Sequence, residues 1–118
     1  INYKIDDPAT KVEVDYSEFL EVMHVLVENA IDAISARGAI SVTINKSENK
    51  AIISVSNDGE TIDKENLHRI FDPYFTTKKH GTGMGLAIAK KILEDHNTKL
   101  ELKIEDGKTV FFFSLAVC

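Results

Sequence analysis

Residues 71–93, FDPYFTTKKHGTGMGLAIAKKIL, join a glycine-rich loop to the start of a helix. Gly81, Gly83 and Gly85 stand at every second position, where they let the backbone turn tightly and let an anion approach the amide N–H groups. A helical pattern begins at Leu86, and the N-terminus of a helix carries a partial positive charge. Two threonines and two lysines at 76–79 add hydroxyl donors and positive charge just upstream. The stretch therefore predicts a phosphate-binding loop.

Three common nucleotide-binding loops do not match this pattern. A P-loop needs a lysine and then a serine or threonine directly after its last glycine, whereas Leu86 follows here. A dinucleotide-binding fingerprint needs the spacing G-x-G-x-x-G directly after a strand, whereas this sequence has G-x-G-x-G after a loop. A protein-kinase glycine loop is followed by a strand that carries a lysine, whereas a helix is predicted here. Another class of nucleotide site must explain the glycines.

The composition is that of one ordinary soluble globular domain. With 118 residues and 43% hydrophobic content, the chain is long enough for a single core. Its formal charge of −5 argues against a nucleic-acid partner, because phosphate backbones select basic surfaces. The single cysteine, Cys118, excludes a disulfide framework and a thiolate metal site. No apolar run is long enough for a membrane span, so we expect a cytoplasmic domain without direct membrane contact.

Apolar periodicity predicts two long helices and a short one between them. Asp15 is the expected N-cap of the first helix, whose apolar stripe continues to Gly38. Asp63 is expected to cap the short helix, which ends before Pro73. The last helix is predicted at about 85–95.

Alternating apolar residues predict six strands, and the last two form a hairpin that turns at Asp106 and Gly107. The strands are expected at 2–5, 11–15, 39–45, 51–57, 100–104 and 109–117, with a loop at 46–50. This order of elements predicts an α/β (α+β) two-layer sandwich. In it, about three helices cover one face of a mixed, mostly antiparallel sheet.

Two asparagines are candidates for a functional site. Asn29 lies about 60° from Leu26 around the first helix, at the edge of the buried stripe. It either bonds to neighbouring backbone or acts as a metal or phosphate ligand, and periodicity alone leaves both open. Asn57 shares a strand face with Val55 and so points toward the core. By itself it is compatible with an ordinary turn before Gly59.

Four motifs occur in order over nearly the whole chain. They are VLVENAIDA at 25–33, SNDGETI at 56–62, FDPYFTTK at 71–78 and GTGMGL at 81–86. They resemble the N box, first glycine box, F box and second glycine box of the ATP-binding catalytic domain of bacterial sensor histidine kinases. That superfamily also holds gyrase and the mismatch-repair ATPases. The resemblance implies its GHKL-type fold, ATP as the nucleotide and Mg²⁺ as the cofactor.

The resemblance also assigns roles to single residues. Asn29 matches the asparagine that binds Mg²⁺, Asn57 the position that hydrogen-bonds the adenine amino group, and Thr109 a strand position near adenine. The nucleotide contacts that it implies are Asn29, Asp32, Asn57, Gly59, Ile62, Lys78, Gly81, Thr82, Gly83, Met84, Gly85, Leu86 and Thr109. A mobile lid over the nucleotide is implied for Phe71, Tyr74, Phe75, Thr76, Thr77, Lys79 and His80.

Three positions depart from the family pattern. Asn57 stands where relatives usually have aspartate, and Thr61 where a second glycine is usual. An amide oxygen accepts the adenine N–H without charge, so we expect weaker binding. Val25 stands where many relatives carry another asparagine or a water-activating glutamate. Hydrolysis of ATP is therefore disfavoured, whereas phosphoryl transfer, which depends mostly on positioning and Mg²⁺, is not.

The expected activity is that of a protein histidine kinase whose acceptor lies outside this chain. None of the four histidines stands in the phosphoacceptor motif H-E-x-x-N/T-P, and His96 resembles an exposed helix residue. The expected partners are a preceding helical dimerisation domain, which carries the acceptor histidine, and a response-regulator receiver domain. We expect a monomeric fragment of a homodimeric, possibly membrane-anchored protein. The alternatives are a catalytically silent nucleotide-binding module and a serine kinase of the anti-sigma-factor type.

Overall fold

The computed structural model describes residues 2–5, 7–34, 38–59, 65, 69–72 and 84–117. Within them the chain forms two helices and five strands. In chain order these are β1 (Asn2–Ile5), α1 (Tyr16–Ala33), β2 (Ile40–Ser47), β3 (Lys50–Asn57), α2 (Gly85–Asp95), β4 (Glu101–Glu105) and β5 (Lys108–Ala116). Neither of these two helices has an apolar stretch that could cross a membrane.

The five strands form one mixed sheet in the order β1-β2-β3-β5-β4. β1 pairs with β2 in parallel, and the other three pairings are antiparallel. The prediction of a mixed, mostly antiparallel sheet is confirmed. The predicted short helix after Asp63 falls largely outside the described residues.

The core lies between the helices and one face of the sheet. α1 buries Val22, Leu26 and Ala30, and α2 buries Ala89, Ile92 and Leu93. Every second residue of β3 and β5 is buried opposite them, as the period of a strand with one covered face requires. Phe111 and Phe113 are the largest fully buried side chains of the described chain. The structure is therefore the predicted two-layer sandwich.

α1 begins as predicted but ends earlier. The side chain of Asp15 accepts a hydrogen bond of 2.9 Å from the backbone N–H of Glu18, which satisfies one unpaired donor of the first turn. The helix ends at Ala33 and not near Gly38, because Ile34 adopts an extended conformation. The backbone of Gly59 packs against the carbonyl of Ala33, so another chain segment occupies the space at the helix end.

Two predictions for the strands need correction. Residues 11–15 form no strand, and Val12 makes a single bridge to Val117. The chain leaves the sheet there because Asp15 must turn to cap α1. The loop expected at 46–50 is a two-residue turn, since β2 extends to Ser47 and β3 starts at Lys50. Glu48 makes this tight turn possible by adopting a left-handed conformation, with a φ of 54°.

His96 connects the two helices and is not the exposed helix residue that its sequence context indicates. Its Nε2 accepts a hydrogen bond of 3.2 Å from the backbone N–H of Asp15, 81 positions away. Its Nδ1 lies 2.8 Å from the carbonyl oxygen of Ile92. The two contacts together require a hydrogen on Nδ1 and a lone pair on Nε2. One imidazole thus joins the C-terminus of α2 to the N-terminus of α1.

Replacing His96 with alanine is expected to lower the free energy of unfolding by about 1–2 kcal/mol, because one partly buried and one exposed hydrogen bond are lost. Chemical denaturation of the domain measures this change. Lys99→Ala, at an exposed neighbouring position, is the control and should have little effect. Equal stability of both variants would show that the imidazole contacts contribute nothing.

Candidate functional site

Asn57 and Thr109 form a buried polar pair at one end of the sheet. Asn57 is the last residue of β3 and lies directly opposite Thr109 of β5. Each is 2% exposed, and they are the buried polar residues of the described core. A buried polar side chain usually makes a hydrogen bond within the protein or to a ligand. Both side chains are therefore candidates for a structural hydrogen bond or for a ligand contact.

The side chain of Asn57 serves a turn and still has a free lone pair. Its Oδ1 accepts a hydrogen bond of 3.0 Å from the backbone N–H of Gly59. This bond agrees with the interpretation of Asn57 as a turn residue. An amide oxygen has two lone pairs, however, so it can accept a second hydrogen bond. The turn and a contact with an adenine amino group are therefore compatible.

The hydroxyl of Thr109 has no hydrogen-bond partner in the described structure, although its Oγ1 is buried. Such an orphan costs about 1–3 kcal/mol in desolvation, so it calls for an explanation by a ligand or a water. Because Thr109 lies beside Asn57, an amide oxygen acceptor and a hydroxyl stand together at the same end of the sheet. This pair fits the polar edge of a nucleotide base.

Thr109→Val tests this explanation, since valine keeps the shape of threonine and removes its hydroxyl. The nucleotide-free domain should be equally stable or more stable by up to about 1 kcal/mol, because an unpaired buried group disappears. The affinity for ATP should fall about five- to tenfold. Thermal unfolding and calorimetric titration measure the two effects, with Ser114→Ala on the opposite face of β5 as control. Lower stability with unchanged affinity would give Thr109 a structural role alone.

Gly59 packs against the end of α1. A Cβ atom at this position would lie 2.3 Å from the carbonyl oxygen of Ala33, a distance that no side chain tolerates. The resemblance implies a nucleotide contact for Gly59, and the structure adds this contact with α1. The turn after β3 thus packs directly against the C-terminal end of α1.

Asp58 stabilises the turn after β3, a role that was not predicted from the sequence. Its Oδ1 accepts a hydrogen bond of 2.7 Å from the backbone N–H of Ala39, and its own N–H donates to the carbonyl of Ala39 at 3.3 Å. These two bonds fix the start of β2 to the turn after β3. The signal available in the sequence was the Asn-Asp-Gly run, since aspartate in a turn commonly bonds to backbone.

Asn29 lies midway along a stripe of α1 whose two ends touch the other parts of the site. Val25, Asn29 and Ala33 are four residues apart and so share one helix face, over about 12 Å. Val25 faces Gly85, where a Cβ would lie 3.4 Å from its Cγ1. Ala33 contacts Gly59 at the other end. Asn29 therefore stands between the start of α2 and the turn at residues 57–59, which we call the Asn57 corner.

The amide of Asn29 remains available for a ligand. The residue is partly buried, and its side chain makes no hydrogen bond to another residue of the described structure. The interpretation of Asn29 as a boundary residue bonded to neighbouring backbone is therefore not supported. Asp32, three positions further on, is exposed and has an interaction of its own. Its predicted role in nucleotide binding stays a prediction.

The start of α2 has no side-chain cap. Met84 is the N-cap residue and makes no side-chain capping bond, so the first N–H groups of the helix lack the usual side-chain acceptor. Leu86 is partly buried against the core, and its predicted contact with the nucleotide stays a prediction. Such a helix end binds an anion through its amides and its dipole.

Most of the predicted lid and phosphate loop lies outside the described residues. This applies to Ile62, Tyr74, Phe75, Thr76, Thr77, Lys78, Lys79, His80, Gly81, Thr82 and Gly83. Phe71, where the predicted lid begins, is partly buried and packs edge-on against Phe111, with ring centroids 6.4 Å apart. The entry to the lid is thus anchored in the core.

The described residues contain no group of three histidine, cysteine or acidic side chains arranged to hold a metal ion. The donor that the site offers is an amide oxygen, that of Asn29. This is a hard ligand of the kind that Mg²⁺ accepts, and Mg²⁺ usually takes its remaining ligands from water and substrate phosphates. The residues present therefore fit a nucleotide-bound Mg²⁺ better than a metal held by the protein alone.

Known proteins resemble this chain in both sequence and fold. The sensor histidine kinase ZraS of Escherichia coli (strain K12) is 37% identical over 92% of this chain, and sporulation kinase C of Bacillus subtilis is 32% identical over 94%. The chain spans about a quarter of the length of these curated relatives, 23% and 26%.

The solved catalytic domain of histidine kinase ThkA superposes with a TM-score of 0.88 at 37% identity, over 97% of this chain and 76% of that one. ThkA has also been solved in complex with the response regulator protein TrrA, and that structure matches with a TM-score of 0.84 at 33% identity, over 98% of this chain and 33% of that one.

A family profile described as histidine kinase-, DNA gyrase B- and HSP90-like ATPase matches residues 14–117. The matched region contains both helices, four of the five strands and every candidate residue discussed above. ATP binding follows from this membership. The chain belongs to the family of histidine kinase-, DNA gyrase B- and HSP90-like ATPases, and its fold is that of a histidine kinase catalytic domain.

Proposed function

We propose that this domain binds ATP with Mg²⁺ and transfers the γ-phosphoryl group to a histidine on a preceding helical domain, for relay to a response regulator. The observation that carries the proposal is the position of Asn29. It stands on α1 between the start of α2 and the Asn57 corner, with no hydrogen bond to another described residue. The amide of Asn29 thus lies between a helix end that can bind phosphates and the Asn57 corner, which can bind a base. A nucleotide that spans both would pass this amide.

Each part of the site has a task in this proposal. Asn57 and Thr109 bind the adenine, the former through its second lone pair and the latter through its orphan hydroxyl. The amides at the start of α2 orient the phosphates. Asn29 would hold Mg²⁺, which when bound neutralises charge on the phosphate oxygens and so favours phosphoryl transfer.

Val25 favours transfer over hydrolysis. It faces Gly85 at the start of α2, where its side chain presents carbon atoms to the phosphate end of the site. A carboxylate at this position could activate a water molecule, and valine cannot. Hydrolysis of ATP is therefore disfavoured, and the γ-phosphoryl group is preserved for the histidine acceptor.

The family resemblance supports the partners. ThkA, a relative of this chain, is solved with a response regulator protein. We propose the same type of partner here, together with a helical phosphoacceptor domain that makes the whole protein a homodimer. We place the domain in the cytoplasm, where ATP is available.

Labelling of the whole protein with ATP that carries a radioactive γ-phosphate tests the proposal. The expected product is a phosphoprotein that is stable to base and labile to acid, as phosphohistidine is. An acid-stable product would instead identify a serine kinase. Saturable ATP binding without any label would identify a silent module, the alternative prompted by Asn57, Thr61 and Val25, which all depart from the family pattern.

Asn57→Asp is expected to tighten ATP binding about five- to tenfold, because a charged acceptor strengthens the hydrogen bond from the adenine amino group. The nucleotide-free domain should become less stable, since a carboxylate at a position 2% exposed loses its hydration. Calorimetric titration measures the first effect and thermal unfolding the second. Asn57→Ala is the matched control and should weaken binding. Weaker binding by the aspartate variant would mean that this side chain does not accept from adenine.

A further inference from the structure

The two ends of the Asn57 amide have different surroundings. Its Oδ1 accepts the hydrogen bond of 3.0 Å from the backbone N–H of Gly59. Because that partner is a donor, the bond fixes which end of the amide is the oxygen. The amide nitrogen, Nδ2, makes no hydrogen bond to another described residue. The turn therefore uses one half of the amide and leaves the donor half free.

The free donor also keeps some open surface. Asn57 is 2% exposed, and the buried side-chain atoms that lack a partner in the described structure are the hydroxyl oxygens of Thr10 and Thr109. Nδ2 has no partner either but is not one of these buried atoms, so part of the remaining opening of Asn57 lies at this nitrogen. A ligand that reaches the Asn57 corner thus meets an N–H donor.

The turn by itself does not require an amide at position 57. A carboxylate oxygen would accept the same bond from the N–H of Gly59, since aspartate forms such turns as readily as asparagine. An aspartate offers acceptors alone, whereas an asparagine offers an acceptor and two N–H donors. What Asn57 adds to this corner is therefore the donor at Nδ2.

Purine bases differ in the group that they could present to this donor. Adenine carries an amino group at its 6-position, which donates, whereas guanine carries a carbonyl oxygen there, which accepts. A carboxylate pairs with the amino group and repels the carbonyl oxygen. The Asn57 amide pairs with either, through the second lone pair of Oδ1 or through Nδ2.

We propose that Asn57 lets this site bind 6-oxopurine nucleotides as well as ATP. Nδ2 donates to the carbonyl oxygen of the base, while Oδ1 keeps its bond to Gly59. The inference rests on the proposed function, because the base must lie at the Asn57 corner. The base specificity of the domain then depends on one functional group, an amide in place of a carboxylate.

Inosine triphosphate is the probe, because its base carries the 6-oxo group without the 2-amino group of guanine. Calorimetric titrations with Mg²⁺ compare it with ATP, and the two affinities should agree within about tenfold. Asn57→Asp should bind inosine triphosphate at least about 20-fold more weakly, because two acceptors then face each other. Since the same variant should bind ATP more tightly, the ratio of the two affinities should change by at least about 100-fold.

Asn57→Ala is the matched control and also serves if the aspartate variant does not fold. It removes the acceptor and the donor together, so both nucleotides should bind more weakly and their ratio should stay within about threefold. Inosine triphosphate that binds the unmodified domain more than about tenfold more weakly than ATP would overturn the inference and leave the nucleotide site intact. An unchanged ratio in Asn57→Asp, or a large change of the ratio in Asn57→Ala toward inosine triphosphate, would do the same. Absence of binding by both nucleotides would overturn the proposed function, and this inference with it.

Discussion

Asn29→Ala is expected to weaken binding of Mg-ATP by at least about 100-fold, which corresponds to about 2.7 kcal/mol. The loss should be confined to binding in the presence of Mg²⁺, because the amide oxygen is the proposed ligand of the ion. Phosphorylation of the acceptor histidine should disappear with it in the whole protein. Calorimetric titration with and without Mg²⁺ measures the first effect, and labelling with radioactive ATP measures the second.

The same substitution should leave the fold intact. Asn29 makes no hydrogen bond to another described residue, and alanine has a higher helix propensity than asparagine. The melting temperature should therefore stay constant or rise slightly. Glu21→Ala, at an exposed position of the same helix, is the control and should bind Mg-ATP normally. Full phosphorylation by the Asn29→Ala variant would show that Asn29 has no role in the site.

Gly59→Ala is expected to have the largest effect on stability. The added Cβ would lie 2.3 Å from the backbone oxygen of Ala33, and no flexible side chain is available to move away. Either the end of α1 or the turn after β3 must shift, at a cost of about 2–3 kcal/mol. For a domain of this size the melting temperature should fall by roughly 10 °C. ATP binding should weaken as well, because the same shift displaces Asn57.

Gly107→Asn provides the matched control for this experiment. Gly107 adopts a φ of 74° in the β4–β5 turn, and an added Cβ would meet no atom within 4 Å. Asparagine tolerates this left-handed conformation better than most residues, so stability should change little. If Gly59→Ala were as stable as Gly107→Asn, the proposed contact between α1 and the turn after β3 would be wrong.

Local chemistry made much of the fold predictable. The N-cap at Asp15, the span of α2 and the turn at Asp106 and Gly107 each depend on a few neighbouring residues, and all three are confirmed. Alternating apolar residues predicted the sheet strands, because their period matches a strand with one buried face, and the order of the elements predicted a mixed sheet.

The corrections concern contacts between distant parts of the chain. The end of α1 at Ala33 depends on Gly59, and the role of His96 depends on the backbone of Asp15. Neither contact leaves a periodic signal in the sequence. The short turn at Glu48 was missed for another reason, since glutamate seldom adopts a positive φ and the polar run around it is typical of a longer loop.

The candidate site was predictable in part. Asn29 and Asn57 were selected because polar side chains interrupt apolar patterns, and the four motifs indicated their family roles. The structure adds what motifs do not contain. It shows the orphan hydroxyl of Thr109, the brace that Asp58 makes to Ala39, and the position of Asn29 between Gly85 and Gly59 along α1.

The most direct measurement is a calorimetric titration of this domain with a non-hydrolysable ATP analogue, with and without Mg²⁺. We expect saturable binding with one site per domain, tighter when Mg²⁺ is present and equal in both conditions for Asn29→Ala. Binding that ignores Mg²⁺ in the unmodified domain would contradict the role of Asn29. No binding at millimolar analogue would contradict the nucleotide site itself.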